Sequence, residues 1–220
     1  MSNSKPHIIT EGVTQYRLGE LNGNCISYDF DKILVYLDAK GKLLFGKKFK
    51  IYKDDREILY KLCNYFIRNR EVCEKFNIDV NKGLLLSGPV GCGKTSLMKL
   101  FRYIVPHQKP YKIIPTRNIV FSFNHIGYKT IEDYGNGQYF CFDDLGVEPT
   151  GRHFGKDCNV IGEVILSRYE LFVNHKVKTH ATTNLNAAEL EELYGNRVRS
   201  RMRQLFNLVA FDNRSKDKRT

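Results

Sequence analysis

A glycine-rich turn near the middle of the chain carries the residue types that bind phosphate groups. Within LLLSGPVGCGKTSLM, residues 84 to 98, the spacing fits the pattern G-x-x-x-x-G-K-[ST]. Glycines let backbone N–H groups converge on phosphate oxygens, and the start of a following helix adds partial positive charge. We therefore predict that the turn binds ATP through nine residues: Gly88, Pro89, Val90, Gly91, Cys92, Gly93, Lys94, Thr95 and Ser96.

Two side chains of this turn have more specific predicted roles. Lys94 would bridge the β- and γ-phosphates, and the Thr95 hydroxyl would coordinate Mg²⁺. The leucines before the turn predict a buried strand, and the residues after it predict a helix, which is the context that the motif requires. The simpler alternative is a tight glycine turn with an exposed lysine. A redox role for Cys92 is a second alternative.

Two aspartates follow a short apolar run further along the chain. The sequence YFCFDDLG, residues 139 to 146, predicts a buried strand that ends at Asp143 and Asp144. A phosphate loop needs a carboxylate opposite it, so we predict that Asp143 binds Mg²⁺ and that Asp144 polarises the attacking water. The alternative is a pair of solvated turn aspartates.

An asparagine ends a third segment, THATTNLN, residues 179 to 186. The segment passes from apolar to polar and predicts another strand, with Asn184 at its end. An amide at this position would place a water molecule beside the γ-phosphate. Taken alone, Asn184 would be a turn residue.

Four arginines at alternate positions lie within the segment YGNRVRSRMRQLFNLVAF, residues 194 to 211. If the segment is helical, Arg197 and Arg201 are one turn apart, as are Arg199 and Arg203. Like charges at this spacing repel each other, so an anion supplied from elsewhere would stabilise them. The anion is either the γ-phosphate of ATP in a neighbouring subunit or a nucleic-acid backbone. A solvated basic helix face is the third alternative.

Composition bounds the class of protein and its partners. The 220 residues are 42% hydrophobic, enough to fill a core, and 35 Lys and Arg against 24 Asp and Glu give a net charge of +11. This charge favours a polyanionic partner. The chain shows neither a signal peptide nor a membrane-spanning segment, and its six cysteines lack metal-ligand spacing, so we expect a cytoplasmic protein with reduced thiols.

The distribution of apolar residues predicts an α/β fold with a small N-terminal addition. Residues 26 to 52 predict a β-hairpin around DAKGK, and a helix follows from Asp54. The apolar segments IVFSF, at 119 to 123, and YFCF are interpreted as strands, with a helix over 159 to 173. Strands alternating with helices predict a parallel sheet. We divide the chain into an appendage, residues 1–52, and an ATPase domain, residues 53–220, with a disordered basic tail over NRSKDKRT.

Four of these motifs together resemble a known family. GPVGCGKT, DDLGVEP, TTNL and YGNRVRSRM occur in the order and approximate spacing of the DnaC/IstB-like AAA+ ATPases. The resemblance covers roughly residues 83 to 212. It implies a P-loop NTPase fold of the AAA+ type, with a parallel sheet flanked by helices.

The resemblance also implies roles for single residues. Asp143 and Asp144 become the Walker B pair, and Asn184 becomes the sensor 1 residue. Arg201 becomes the arginine finger that acts on a neighbouring subunit, with Arg197 beside it.

Three further expectations follow from the resemblance. Arg168 would face a neighbouring subunit. Only 36 residues follow Asn184, too few for the helical lid of full AAA+ proteins, so we expect that lid to be missing. The N-terminal part lacks the signature of the zinc-binding domain found in some members.

The predicted function is that of an ATPase acting on DNA, single- or double-stranded. The resemblance implies a homo-oligomer with ATP at its subunit interfaces that serves either a replicative helicase or a transposase. One rival is a P-loop kinase of a small substrate, which would need a phosphoacceptor pocket. The other rival is a scaffold that binds nucleotide without hydrolysing it.

Overall fold

The computed structural model describes residues 5–212, 215, 217 and 218 of the chain. Most of the predicted disordered tail therefore lies outside the described residues. Within them, no helix combines the length and the apolar character needed to cross a membrane.

The domain boundary proposed after residue 52 stays a prediction. The chain forms two compact units, the first from Met1–Val80 and Ser96–Pro110, the second from Asn81–Thr95 and Tyr111–Thr220.

Eleven strands and eight helices are formed by the described residues, with one 3-10 turn at Lys53–Asp55. The strands are β1 Ile8–Glu11, β2 Thr14–Arg17, β3 Gly19–Asn22, β4 Cys25–Tyr28, β5 Gly83–Ser87, β6 Lys112–Pro115, β7 Phe140–Leu145, β8 Gly151–His153, β9 Lys156–Cys158, β10 Thr179–Thr183 and β11 Phe206–Ala210. The helices are α1 Phe30–Phe45, α2 Arg56–Phe66, α3 Arg70–Lys75, α4 Lys94–Phe101, α5 Thr116–Ile126, α6 Lys129–Tyr134, α7 Val160–His175 and α8 Ala187–Leu205.

The first unit begins with two antiparallel hairpins, β1–β2 and β3–β4. The hairpin predicted within residues 26 to 52 is wrong, because α1 occupies most of that stretch. Asp29 caps α1 by accepting from the Lys32 N–H at 3.1 Å. Gly41, taken for a turn residue, is a helix residue on which the ring of Phe49 packs so closely that a Cβ would collide with it.

The second unit contains a five-stranded parallel sheet in the order β11-β5-β10-β7-β6, flanked by helices. Its buried core joins apolar side chains of β7 and β10 to those of α5, α7 and α8. This architecture confirms the predicted α/β fold with small strands at the N-terminus. Within the described residues, no helix follows β11, and the missing lid stays a prediction.

Most of the predicted elements of the sheet are confirmed, and two segments are corrected. The strands predicted around the three polar motifs are β5, β7 and β10, and the predicted helix over 159 to 173 is α7. The segment IVFSF is not a strand but part of α5, where Ile119, Val120 and Phe123 are buried at helical spacing. The segment FNLVA is β11, which sequence analysis missed because α8 passes into it without a turn residue.

A buried histidine supports the pairing of β5 with β10. The Nδ1 of His180 accepts a hydrogen bond of 3.1 Å from the backbone N–H of Leu84, so this nitrogen carries no proton. The His180 ring packs against Tyr111, with ring centres 4.8 Å apart. Burial, helped by the charges of Lys178 and Arg168, lowers the pKa of His180 to about 3. The folded protein therefore holds this imidazole neutral.

Acid should consequently destabilise the fold through this one residue. An unfolded histidine has a pKa of about 6.5, so the unfolded chain binds a proton that the folded chain excludes between that value and about pH 3. Lowering the pH from 7 to 5 should reduce the free energy of unfolding by about 2 kcal/mol through His180. The measurement is urea unfolding at a series of pH values.

The variant His180→Asn isolates this effect, because its Oδ1 can accept from Leu84 without titrating. We expect His180→Asn to lose most of that pH dependence and the exposed control His125→Asn to keep it. An unchanged pH dependence in His180→Asn would contradict the assignment.

Candidate nucleotide-binding site

The glycine-rich turn connects β5 to α4 as predicted. Gly91 and Gly93 have φ values of 82° and 103°, in the region that favours glycine. The Lys94 side chain is only 6% exposed. Its Nζ donates to the carbonyls of Gly88 at 2.7 Å and Pro89 at 2.9 Å. The alternative of an exposed lysine in a plain turn therefore disagrees with the structure.

The other predicted phosphate-loop residues differ in accessibility. Val90 is exposed, Ser96 is half-buried within α4, and Cys92 is fully buried. The Cys92 sulfur lies 3.8 Å from Lys94 Nζ, so this thiol packs inside the loop. An oxidant would need access to the sulfur, and this burial argues against the redox alternative. The contacts of all nine residues with a nucleotide stay a prediction.

Asp143 lies directly opposite the loop. Its side chain is buried, and its Oδ1 accepts from the Thr95 hydroxyl at 2.8 Å and from the Thr182 hydroxyl at 2.7 Å. The two residues predicted to hold Mg²⁺ are therefore in direct contact. Oxygen ligands of this kind, a hydroxyl and a carboxylate, are those that Mg²⁺ prefers, so the donor set fits the ion.

Asp144 differs from its neighbour in exposure and backbone geometry. Its side chain is exposed and its φ is +58°, an uncommon value for a residue other than glycine. The backbone is held on both sides, because its N–H donates to Thr182 Oγ1 at 2.9 Å and its carbonyl accepts from Thr116 Oγ1 at 2.8 Å. The alternative of two solvated turn aspartates fails for Asp143, which is buried.

Thr182 is the site residue that sequence analysis missed. It is fully buried on β10, donates to Asp143 and accepts from the backbone of Asp144, so a single hydroxyl fixes both aspartates. The available signal was the pair of threonines before Asn184, in a strand that ends beside the aspartate strand. The hydroxyl of the other threonine, Thr183, bonds to the backbone instead and donates to the Leu145 carbonyl at 2.8 Å.

Asn184 follows the last residue of β10 and is exposed. Since β10 pairs with both β5 and β7, Asn184 emerges between the phosphate loop and the aspartates. Its predicted contact with a water molecule stays a prediction.

The four arginines of the segment all lie in α8, which meets the condition set for their spacing, whereas the end of the segment forms β11. A kink at Gly195, with φ 82° and ψ 159°, separates the arginines from the start of the helix. Arg197 is exposed. The guanidinium of Arg201 lies 4.4 Å from the centre of the Tyr169 ring, and its Nη1 donates to the Tyr169 hydroxyl at 3.3 Å. Arg201 is therefore half-buried and held by its own chain.

The two remaining arginines of the segment have different surroundings. Arg203 forms an ion pair of 3.7 Å with Glu191, so one of the four has an acidic partner in its own helix. The Nε of Arg199 is buried, and burial, together with the nearby charge of Arg203, lowers the pKa of Arg199. Arg197 and Arg201 are thus the better placed pair for an external anion.

The expectation that Arg168 faces a neighbouring subunit is wrong, because its side chain is 0% exposed. The guanidinium donates to the Thr179 hydroxyl and to the carbonyls of Lys178, Gln138 and Asn136. Burial lowers its pKa to about 10, which leaves it charged at neutral pH. Arg168 is a structural cation that ties α7 to the starts of two strands.

A glutamate connects the loop after β7 to α8. Glu148 accepts from the backbone N–H of Gly146 at 2.9 Å and from the hydroxyl of Tyr194. Burial and the charge of Glu148 raise the pKa of Tyr194, so the phenol stays a donor. Tyr194 precedes the kink at Gly195, and the arginine-bearing part of α8 is therefore anchored to the loop that follows the aspartates.

Comparisons with known proteins support the fold. No protein-family model and no curated protein sequence matches the chain. The crystal structure of the DnaC helicase loader matches with a TM-score of 0.52 and 20% identity, covering 74% of this chain and 92% of that chain. The structure of DnaI matches with a TM-score of 0.55 and 19% identity, covering 78% and 88%. The chain therefore has the predicted DnaC-like AAA+ fold.

The hydroxyl of Thr182 should contribute more to Mg²⁺ binding than to binding of the nucleotide without the metal. Thr182→Val keeps the side-chain shape but removes the donor to Asp143, and a hydrogen bond to a charged group contributes about 1.5 to 3 kcal/mol. We expect at least about tenfold weaker binding of a fluorescent ATP analogue in Mg²⁺. Affinity in EDTA should change less than about twofold.

Two further variants separate this effect from a general loss of packing. Thr182→Ser should behave like the wild type, since it keeps the hydroxyl. Thr183→Val removes a buried hydroxyl from the same strand without touching either aspartate, and should keep the gain in affinity that Mg²⁺ gives. Equal losses in EDTA and Mg²⁺ for Thr182→Val would contradict the role.

Proposed function

We propose that the chain is a cytoplasmic ATPase that works with DNA as a loader of a replicative helicase. The observation that carries the ATPase part is the 2.8 Å contact between Thr95 of the phosphate loop and Asp143 of β7. Two motifs that lie 48 residues apart in the sequence thereby form one oxygen-lined site next to a buried lysine. This arrangement fits binding of a nucleoside triphosphate with Mg²⁺.

The proposed chemistry assigns one task to each side chain. Lys94 would leave its loop carbonyls to bind β- and γ-phosphate oxygens. Thr95 and Asp143 would hold Mg²⁺, which neutralises phosphate charge when bound. Asp144 would polarise the water that attacks the γ-phosphorus as the bond to the bridging oxygen breaks, and Asn184 would orient that water.

We propose that the arginines of α8 complete the site of a neighbouring subunit. Arg201 suits this role, because Tyr169 fixes the position of its guanidinium but carries no negative charge that would offset the arginine charge. Arg197 lies one turn earlier and is exposed. A heterologous contact of this kind places one subunit's arginines against the next subunit's ATP, which makes hydrolysis depend on assembly.

A mixing experiment tests both the pocket and the arginine. Asp144→Asn lacks the group that polarises water but keeps Arg201, whereas Arg201→Ala keeps an intact pocket. Each variant alone should lose at least about tenfold in phosphate release, since an arginine finger typically contributes a factor of 10³ to 10⁵. An equimolar mixture should recover about a quarter of the wild-type rate, because random mixing pairs an intact pocket with an intact arginine at one interface in four.

Controls define what would contradict this proposal. The double variant Asp144→Asn/Arg201→Ala, mixed with Arg201→Ala, supplies no arginine and should recover nothing. Arg203→Ala, on the same helix but paired with Glu191, should hydrolyse ATP at nearly the wild-type rate. If Arg201→Ala hydrolyses ATP at the normal rate under assembling conditions, Arg201 is not the arginine finger. If the mixture of the two variants stays inactive, the arginine does not act on a neighbouring subunit.

The assignment of DNA and a helicase as partners rests on charge and on fold. The net charge of +11 suits a polyanion. A matching fold belongs to a protein described as the DnaC helicase loader.

A co-elution experiment tests the choice of partner. With ATP and Mg²⁺, the purified chain should co-elute with the replicative helicase of its source cell in size-exclusion chromatography, and Lys94→Ala should weaken the complex. Single-stranded DNA should raise the ATPase rate, and that effect should fall with salt. Co-elution with a transposase and not with the helicase would transfer the proposal to transposition.

A further inference from the structure

Two residues near the end of the chain, Asp217 and Lys218, lie against the phosphate loop. The backbone N–H of Lys218 donates to the Gly91 carbonyl at 3.0 Å, and its Nζ donates to the Cys92 carbonyl at 2.7 Å. The same ammonium lies 5.3 Å from the centre of the Phe211 ring. The carboxyl group of Asp217 packs on Gly91 so closely that a Cβ there would collide with it.

These contacts bring a negative charge to a loop that is built to bind anions. In the proposed function, the loop would bind phosphates through its backbone N–H groups and Lys94. Lys218 instead donates to two carbonyls of the loop, those of Gly91 and Cys92. Lys218 is thus the anchor, whereas Asp217 is the group in contact with the Gly91 backbone. A triphosphate in the same loop would be repelled by the Asp217 carboxylate.

We propose that Asp217 and Lys218 form an autoinhibitory contact that competes with the nucleotide for the phosphate loop. ATP or ADP must displace the Asp217 carboxylate, so the apparent affinity equals the intrinsic affinity multiplied by the fraction of molecules whose loop is uncovered. The coupling is reciprocal: a partner that captures the C-terminal residues raises nucleotide affinity by the same factor by which nucleotide releases them. The inference rests on the proposed nucleotide binding, but not on hydrolysis, DNA or a helicase.

The contact also suits the position of these residues in the chain. They follow β11, which pairs with β5, and the phosphate loop starts where β5 ends. Phe211, the first residue after β11, packs against Gly88 at the start of the loop. In the sequence, only five residues separate Phe211 from Asp217.

The first test measures the affinity of the full chain for a fluorescent ADP analogue. Asp217→Ala should bind about three- to tenfold more tightly than the wild type, because the competing carboxylate is gone. Asp157→Ala removes the same charge from an exposed position on β9 and should change affinity less than about twofold. Unchanged or weaker binding by Asp217→Ala would overturn the proposal, since a clamp over bound nucleotide predicts weaker binding.

The second test follows the contact itself by hydrogen exchange in the wild-type chain. The Lys218 amide is protected by its bond to the Gly91 carbonyl, so saturating ADP should speed its exchange. Slower exchange with ADP would overturn the inference. If ADP binds normally and Asp217→Ala has no effect, the inference fails and the proposed function stands. If ADP binding and Asp217→Ala behave as expected here but the subunit-mixing experiment fails, the inference stands and the proposed function fails.

Discussion

The site depends on the position of β10 between β5 and β7. Parallel strands end at the same edge of a sheet, so the phosphate loop, the aspartates and Asn184 meet there because β10 pairs with both neighbours. The pairing with β7 is irregular after Ala181, at the level where Asp144 adopts its positive φ. Such irregularities redirect side chains, and here Thr182 fixes both aspartates across the irregular step.

Two buried charges in the second unit are satisfied in different ways. Arg168 donates to three carbonyls and one hydroxyl of its own chain, which supply acceptors for four of its five N–H groups. Asp143 is buried with two hydroxyl donors, both on Oδ1, and neither donor carries a positive charge. A cation at Asp143 would therefore be stabilised by the fold, whereas Arg168 needs no further partner to remain buried.

Sequence analysis could predict those parts of the site that each lie within one short motif. The glycine-rich loop, the strand before Asp143 and the strand before Asn184 all combine an apolar run with polar residues at its end, and each was found where predicted. The fold class follows from the same pattern. The arginine spacing already suggested an external anion, and the resemblance to the DnaC/IstB-like family added the choice of Arg201 as the arginine finger.

The errors arose where distant parts of the chain decide the outcome. Gly41 looked like a turn residue because nothing local shows that Phe49 packs on it within a helix. Arg168 looked exposed because its acceptors come from residues 10 to 32 positions away. Thr182 and Thr183 form a visible pair, but nothing local shows that only Thr182 reaches the aspartates, since that role requires β7 beside β10. Local pattern thus predicts elements, whereas these three roles depend on tertiary contacts.

The link between Glu148 and Tyr194 gives the proposed assembly a physical basis within one subunit. The loop after the aspartates is bonded to the residue just before the kink in α8, and the exposed Arg197 and the Tyr169-held Arg201 follow that kink. A change at the aspartates therefore has a short bonded route to the arginines. In the proposed heterologous assembly, each subunit would present its pocket to one neighbour and its arginines to the other. The state of one ATP would then bias the arginines offered to the next site.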